Sequence, residues 1–199
     1  MRIPQCRTDV KSDEEWSAVL WLREAVRVRL VEKWEYEPRS FELFPPATFT
    51  EPKQLKTKSK TVERCLHRGA SYTPDFYITF TDEGRRLMFK TFKKSILSGA
   101  SAANNEVWID IKGTFNPNDQ PRYFSIIQKA MFHVNGIWVS RIVPFYATVN
   151  KKTKVRTCHG LFYETFAPES LRYMKKGPLN SCGRACFSVE QFLIDRQSA

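Results

Sequence analysis

Three acids and a lysine stand out by type and spacing. Asp110-Ile111-Lys112 lies in "EVWIDIKGTF" (106–115), Asp75 follows Pro74 in "SYTPDFYITF" (71–80), and Glu15 stands three residues after Ser12 in "SDEEW". In 106–115, Val107, Ile109 and Ile111 alternate with Trp108, Asp110 and Lys112, which predicts a strand with one apolar face. Same-face neighbours on a strand are roughly 6–7 Å apart, so Asp110 and Lys112 sit side by side. Clustered carboxylates suit Mg²⁺, which takes oxygen ligands at ~2.0–2.1 Å from one or two carboxylates, waters and phosphate oxygens. Asp75, Asp110 and Glu15 are the candidate ligands, with the Ile111 carbonyl as a further one. Lys112 would orient or deprotonate a water and offset charge on a phosphate. In the bland alternative Asp75 only begins a turn, and Asp110 and Lys112 are a solvated pair.

The elements that must position these groups follow from periodicity. Residues 13 to about 31 predict a helix, with Ser12 as N-cap, Glu15 at the capping-box position and Val19, Leu22, Val26 and Leu30 on one stripe. Glu15 projects between Leu22 and Val26, toward the core, whereas Glu14 points away. Glu15 is therefore either a capping residue alone or a carboxylate reaching a site at the helix edge. "SFELF" (40–44) predicts a short strand ended by Pro45-Pro46. Residues 52–70 read as a mobile connection carrying Lys53, Lys56, Lys58, Lys60, Arg64 and Arg68 against Glu63. Residues 82–105 read as an insertion with a basic helix in its middle, bearing Arg85, Arg86, Lys90, Lys93 and Lys94.

Beyond the opening strand, 122–133 predicts a helix with Phe124, Ile127 and Met131 inward, and Gln128 and Lys129 among its polar residues. A strand over 136–145, a basic hairpin around "KKTK" and two short C-terminal helices complete the chain. The order helix, three strands, helix, strand predicts an α/β fold: a central mixed sheet flanked by helices. Residues 1–145 would form the core with basic insertions at about 52–70 and 82–105, and 146–199 a C-terminal extension packed on it.

The 199 residues suit one domain, and 42% apolar content supports a sizeable core. A net charge of +11 favours an anionic partner, nucleic acid foremost. No apolar run reaches the ~18 residues of a membrane span. "MRIPQCRTDVKSDEEW" lacks the apolar stretch of a signal peptide, so a cytoplasmic location without membrane attachment is expected. The five scattered cysteines, Cys6, Cys65, Cys158, Cys182 and Cys186, do not form a disulfide framework and are expected to be reduced and partly buried. Cys158-His159 with Cys182 and Cys186 is the nearest approach to a zinc set, without the usual tight repeated pairs.

"TPDFYI" followed by "WIDIKG" resembles the PD-(D/E)xK nuclease superfamily, whose site is a proline-aspartate pair and an acid-x-lysine triplet. Asp110 stands where many members have glutamate. Ser12 and Glu15 on the preceding helix, and "SIIQKAMF" on the following one, resemble the phage-type endonucleases that act on branched DNA. The resemblance covers roughly residues 12–140. It implies a restriction-endonuclease-like core and a Mg²⁺-dependent DNA endonuclease, with Mn²⁺ as a substitute ion. Glu15, Asp75, Asp110, Lys112 and Gln128 would be catalytic, with Gln128 facing the water or phosphate unless it is only an exposed helix polar. Lys56, Lys58, Lys60, Arg85, Arg86, Lys93, Lys94 and Lys129 would grip nucleic acid. Symmetric nicking of a junction would need a homodimer, in a host cytoplasm if the chain is phage-encoded. The rival reading is a catalytically silent nuclease fold that binds DNA or RNA.

Overall fold

The structure, a computed structural model, describes residues 2–54, 58–91, 105–113, 121–149, 152–154, 156–172 and 187–197. Helix α1 (Asp13–Arg27) opens where the Ser12 hydroxyl accepts the Glu15 amide at 3.1 Å. Asp13, Glu14 and Glu15 load its first turn with charge that suits the helix dipole. The helix ends four residues earlier than the apolar stripe suggests. Arg29 takes a left-handed φ of 60°, and the chain turns into strand β1 (Val31–Tyr36). Leu30 is buried by that turn rather than by a helical stripe, and Val26 is left 38% exposed. The first strand of the sheet is thus "VEKWEY", which the helical period had masked.

β2 (Phe41–Phe44) is the expected "SFELF" strand, but it lies outside the main sheet. Residues 52–70 are not a loose connection. β3 (Ala47–Gln54) and β4 (Ser59–His67) form an antiparallel hairpin, mostly exposed on both faces. Threonines, Phe49 and Val62 supply β-forming side chains, an Arg64–Glu51 ion pair spans 2.5 Å, and Thr48 donates to Glu63 at 2.7 Å. β5 (Ala70–Tyr72) returns to pair with β2.

β6 (Phe76–Phe80), helix α2 (Asp82–Thr91), β7 (Glu106–Ile111), helix α3 (Pro121–Asn135) and β8 (Val139–Ile142) complete the central architecture. The main sheet runs β1-β6-β7-β8. Its first three strands are antiparallel, and β8 joins parallel to β7 after the α3 crossover. One sheet face packs on α1 through Ile78, Ile109, Ile111, Trp21 and Leu22. The other meets α3 and β2 through Trp108, Met131, Phe41 and Leu43. Helix α2, within the segment read as an insertion, packs on the sheet, with Leu87 and Met88 buried in the first of these cores.

The hairpin expected around "KKTK" is β9 (Tyr146–Val149) with β10 (Arg156–His159). Short helices α4 (Leu161–Glu164) and α5 (Glu169–Arg172) and helix α6 (Val189–Gln197) follow. The C-terminal part packs against α1 and adds aromatic residues to the core. Phe162, Phe166 and Phe192 are buried with α1, Trp21 stacks on Phe166 at 5.2 Å, and its indole N–H donates to Thr165 at 3.1 Å. Cys158 corrects the expectation of reduced thiols: it is buried and disulfide-bonded. It is therefore not a zinc thiolate. Cys6 and Cys65 are free and exposed. Among the described residues no helix is long and apolar enough to cross a membrane.

Gly84 marks the tightest backbone approach. A Cβ there would lie 1.8 Å from the Leu30 carbonyl oxygen, against backbone that cannot swing aside. Glycine-to-alanine inside a helix ordinarily stabilises by up to about 1 kcal/mol. Here the sign should reverse: Gly84→Ala should destabilise by about 3 kcal/mol, the upper end of ordinary overpacking. Denaturant unfolding measures it, and an unchanged or raised midpoint would contradict this docking of α2 on the α1–β1 turn.

Candidate active site

Asp75 and Asp110 are placed by strand register. The last β6–β7 pair is Phe76 with Ile109, so one step further Asp75 stands across from Asp110. Pro74 has no N–H to continue the ladder. Asp75 Oδ2 instead accepts the Ile111 amide at 2.6 Å, and its own carbonyl accepts the Glu37 amide at 2.8 Å. Asp110 Oδ1 accepts the Tyr72 hydroxyl at 2.8 Å. Asp110 Oδ2 is buried without a hydrogen bond. Lys112 Nζ lies 2.5 Å from it as an ion pair. On the other side of Asp110, the parallel ladder sets Arg141 in register.

Glu15 reaches the same end of the sheet from the α1 side. Its amide is capped by Ser12 as expected, but its carboxylate does not close the capping box. Oε2 accepts the Lys11 amide at 2.9 Å and the Tyr36 hydroxyl at 2.7 Å. Glu15, Asp75 and Asp110 are all buried. Each uses one oxygen on a fixed donor. Glu15 Oε1, Asp75 Oδ1 and Asp110 Oδ2 have no hydrogen bond among the described residues.

The three acids come together in part. Ile109 and Ile111 pack toward α1, so Asp110 belongs to the opposite sheet face with Trp108, while Glu15 approaches from the α1 face. Among the described residues no three acid, histidine or cysteine side chains form a closed metal cluster. The charges still feel one another. Burial foremost, then the charges of Asp110 and Glu15, push the Asp75 carboxyl up from 3.8 to about 7, against the opposing pull of the Ile111 amide and Lys112. Burial and the paired carboxylates likewise raise the phenols of Tyr36 and Tyr72, which stay protonated as donors.

Other expected site residues are placed differently. Gln128 does not turn to the acids: its amide donates to the Val139 carbonyl at 2.7 Å and ties α3 to β8. Lys129 is exposed on α3. Arg85 donates to Asn105 at 3.2 Å, and Arg86 pairs with Glu83 at 3.4 Å. Lys58 and Lys60 are exposed on the β3–β4 hairpin, whereas Lys56, Lys93, Lys94, Cys182 and Cys186 lie outside the described residues. Four neighbours had no sequence signal. Tyr36 sits on the unexpected β1, and Tyr72 bonds its acid across 38 positions. Lys11 pairs with Glu37, an interaction that raises its pKa, with Asp75 and Glu15 adding to the rise. Glu14 folds over the turn after Lys112, where a Cβ on Gly113 would lie 3.0 Å from its Oε1.

A cleft of about 410 Å³ adjoins the acids, lined in part by Tyr72, Lys112, Phe124 and Arg141. No protein-family model, no curated protein and no solved structure matches this chain. Fold and site together define an α/β protein with a mixed central sheet flanked by helices, and with buried acids gathered at one end of that sheet.

A carboxyl raised to about 7 in the folded state favours the protonated fold, so its stabilising effect is full below pH 4 and lost as pH climbs through 7. Asp75→Asn keeps an acceptor for the Ile111 amide and removes the charge. Without metal, the variant should melt close to the wild type at pH 4–5 and above it at pH 8, by an amount on the order of a few kcal/mol. Thermal melts across pH check this. A variant less stable than wild type at pH 8 would mean that the buried Asp75 charge carries no net cost in the fold.

Proposed function

We propose that this chain is a Mg²⁺-dependent DNA endonuclease of the PD-(D/E)xK kind, hydrolysing phosphodiester bonds to leave a 5′-phosphate and a 3′-hydroxyl. The observation that carries the reading is the pair Asp75–Asp110 at the open end of the β6–β7 ladder, with Asp110 Oδ2 buried, without a hydrogen bond and beside Lys112. In the resting site the Lys112 ammonium offsets the charge of this oxygen, as a buried charge requires. Lys112 is exposed enough to move off, and a metal cation would then take its place on that oxygen. Mg²⁺ needs only one or two carboxylates with waters, so the donor set fits the ion without a closed three-acid cluster. Asp75, Asp110 and the Ile111 carbonyl would hold it, with Glu15 on its far side. Bound there, the ion would supply Lewis-acid polarisation of the phosphate and a more acidic water.

The protein's own groups do the rest. Tyr72 and the Ile111 amide fix one oxygen of each aspartate, which would leave the other for an ion. Tyr36 does the same for Glu15. The Lys112 side chain is 42% exposed, so it can leave Asp110 for an incoming phosphate and oppose the charge that grows in the transition state. The element order α1, β1, β6, β7, α3, β8 agrees with the resemblance in "TPDFYI" and "WIDIKG".

DNA as the substrate is supported by the charge of +11 and by the β3–β4 hairpin. Lys53 stands directly opposite Lys60 in its ladder. Like charges in that position destabilise a hairpin unless a polyanion lies against them. Branched DNA and a homodimer rest on the resemblance.

Incubation with linear, flapped and four-way DNA, with Mg²⁺ or a chelator, tests the reading. Cleavage should require the metal. Asp110→Asn should abolish it, and Lys112→Ala should slow it by about 10²–10³-fold, the usual loss when one transition-state donor is removed. Both variants should still bind DNA. Tight binding without cleavage of any of these DNAs, in Mg²⁺ or Mn²⁺, would overturn the proposal and leave a nuclease-like fold used for binding alone.

A further inference from the structure

The cleft beside the acids has two unlike walls. Helix α3 contributes Tyr123, Phe124 and Ile127, and the strands contribute Tyr72, Lys112 and Arg141. Lys112 belongs to both cleft and acid site: its Nζ pairs with Asp110 and lies 6.0 Å from the centre of the Phe124 ring. Tyr72 is shared in the same way, through its bond to Asp110. A ligand in the cleft therefore has one end against the acids. Tyr123 is 63% exposed, a large ring displayed to solvent at the rim.

We infer that this cleft binds a single unpaired nucleotide, its base against Tyr123 and Phe124 and its phosphate toward Lys112 and Arg141. A volume of about 410 Å³ lies in the range of small-ligand sites, and it is too small for a run of stacked base pairs. An aromatic wall gains from a base only when the base shows its face, and in a duplex neighbouring pairs cover both faces. A cation beside such a wall meets the phosphate that the base carries with it. The inference rests on the nuclease reading for one consequence, and it deepens that reading. The strand that is cut has an unpaired or extruded nucleotide next to the scissile phosphate, as at a flap, a branch point or a single-stranded end.

Binding measured in chelator separates the two claims, because no metal-dependent cleavage enters it. Three fluorescent DNAs serve as probes: a blunt duplex, the duplex with a short unpaired flap, and the same flap with abasic residues, the last two carrying equal charge. The wild type should prefer the intact flap over the abasic flap by about 5–150-fold, the range expected for one base stacked on aromatic side chains. Tyr123→Ala should remove that preference, and Tyr123→Phe should restore it. A 2-aminopurine in the flap should be quenched by the wild type and not by Tyr123→Ala. Equal binding of intact and abasic flaps by the wild type would overturn the inference. So would a Tyr123→Ala loss that is the same for all three DNAs. If the base preference holds while no DNA is cut in Mg²⁺ or Mn²⁺, the cleft stands and the nuclease reading falls. Cleavage that ignores the abasic change would leave the nuclease reading standing and overturn the role of the cleft in it.

Discussion

The hydrogen bond from the Ile111 amide to Asp75 Oδ2, at 2.6 Å, organises the end of the molecule that matters. Strand β7 continues past the point where β6 begins, so its last amide on that side has no ladder partner. A buried amide without an acceptor costs about 1–3 kcal/mol, and here a carboxylate takes the place of the missing peptide carbonyl. That substitution draws a charge into the sheet directly across from Asp110. Burial and the facing Asp110 charge then raise the Asp75 carboxyl to about 7, against the pull of the Ile111 amide itself. On the neighbouring edge the Lys112 amide bonds the Ile142 carbonyl at 2.8 Å, which keeps the strand end straight as it leaves the sheet.

The two faces of the sheet divide the remaining work. The apolar residues of β7 on one side lock α1 in place, and α1 carries Glu15 to the sheet end. On the other side Trp108 packs among Phe41, Met131 and Val139, which seats α3 and the β2–β5 pair and so delivers Tyr72 to Asp110. Neither phenol is incidental. Tyr36 is buried and Tyr72 half-buried, each beside a carboxylate that raises its pKa, so each remains a donor across the physiological range and fixes one oxygen of its acid. The C-terminal aromatics close the α1 face, which makes them part of the support for Glu15 rather than an appendage.

Legibility followed locality. The alternation of Val107, Ile109 and Ile111 announced β7, and with it the shared face of Asp110 and Lys112, because a strand's period is written in adjacent residues. The Ser12–Glu15 spacing announced the helix start for the same reason. The helix end was hidden, since Leu30 continues the apolar period while belonging to a turn. That concealed β1 and therefore Tyr36. The β3–β4 hairpin was hidden by its charge: lysines suggested a solvated connection, although the alternating threonines between them are strand formers. Gln128 looked like a site residue because it is polar on a helix after the triplet. Its actual partner, the Val139 carbonyl, is fixed by how α3 lies against β8, which no local pattern states. Tyr72 and Asp110 meet only through the pairing of β5 with β2.

The central proposal is that Asp75 Oδ1 and Asp110 Oδ2, the oxygens that accept no hydrogen bond among the described residues, are Mg²⁺ ligands, and calorimetric titration of Mg²⁺ into the full chain addresses it without requiring catalysis. Metal entry must displace the proton that Asp75 holds near pH 7. Titrations in buffers of different ionisation enthalpy should therefore show saturable binding with proton release at pH 6.5 that fades by pH 8.5, and Asp110→Asn should lose both binding and release. Binding that is absent at millimolar Mg²⁺, or that survives Asp110→Asn with the same proton release, would contradict the account.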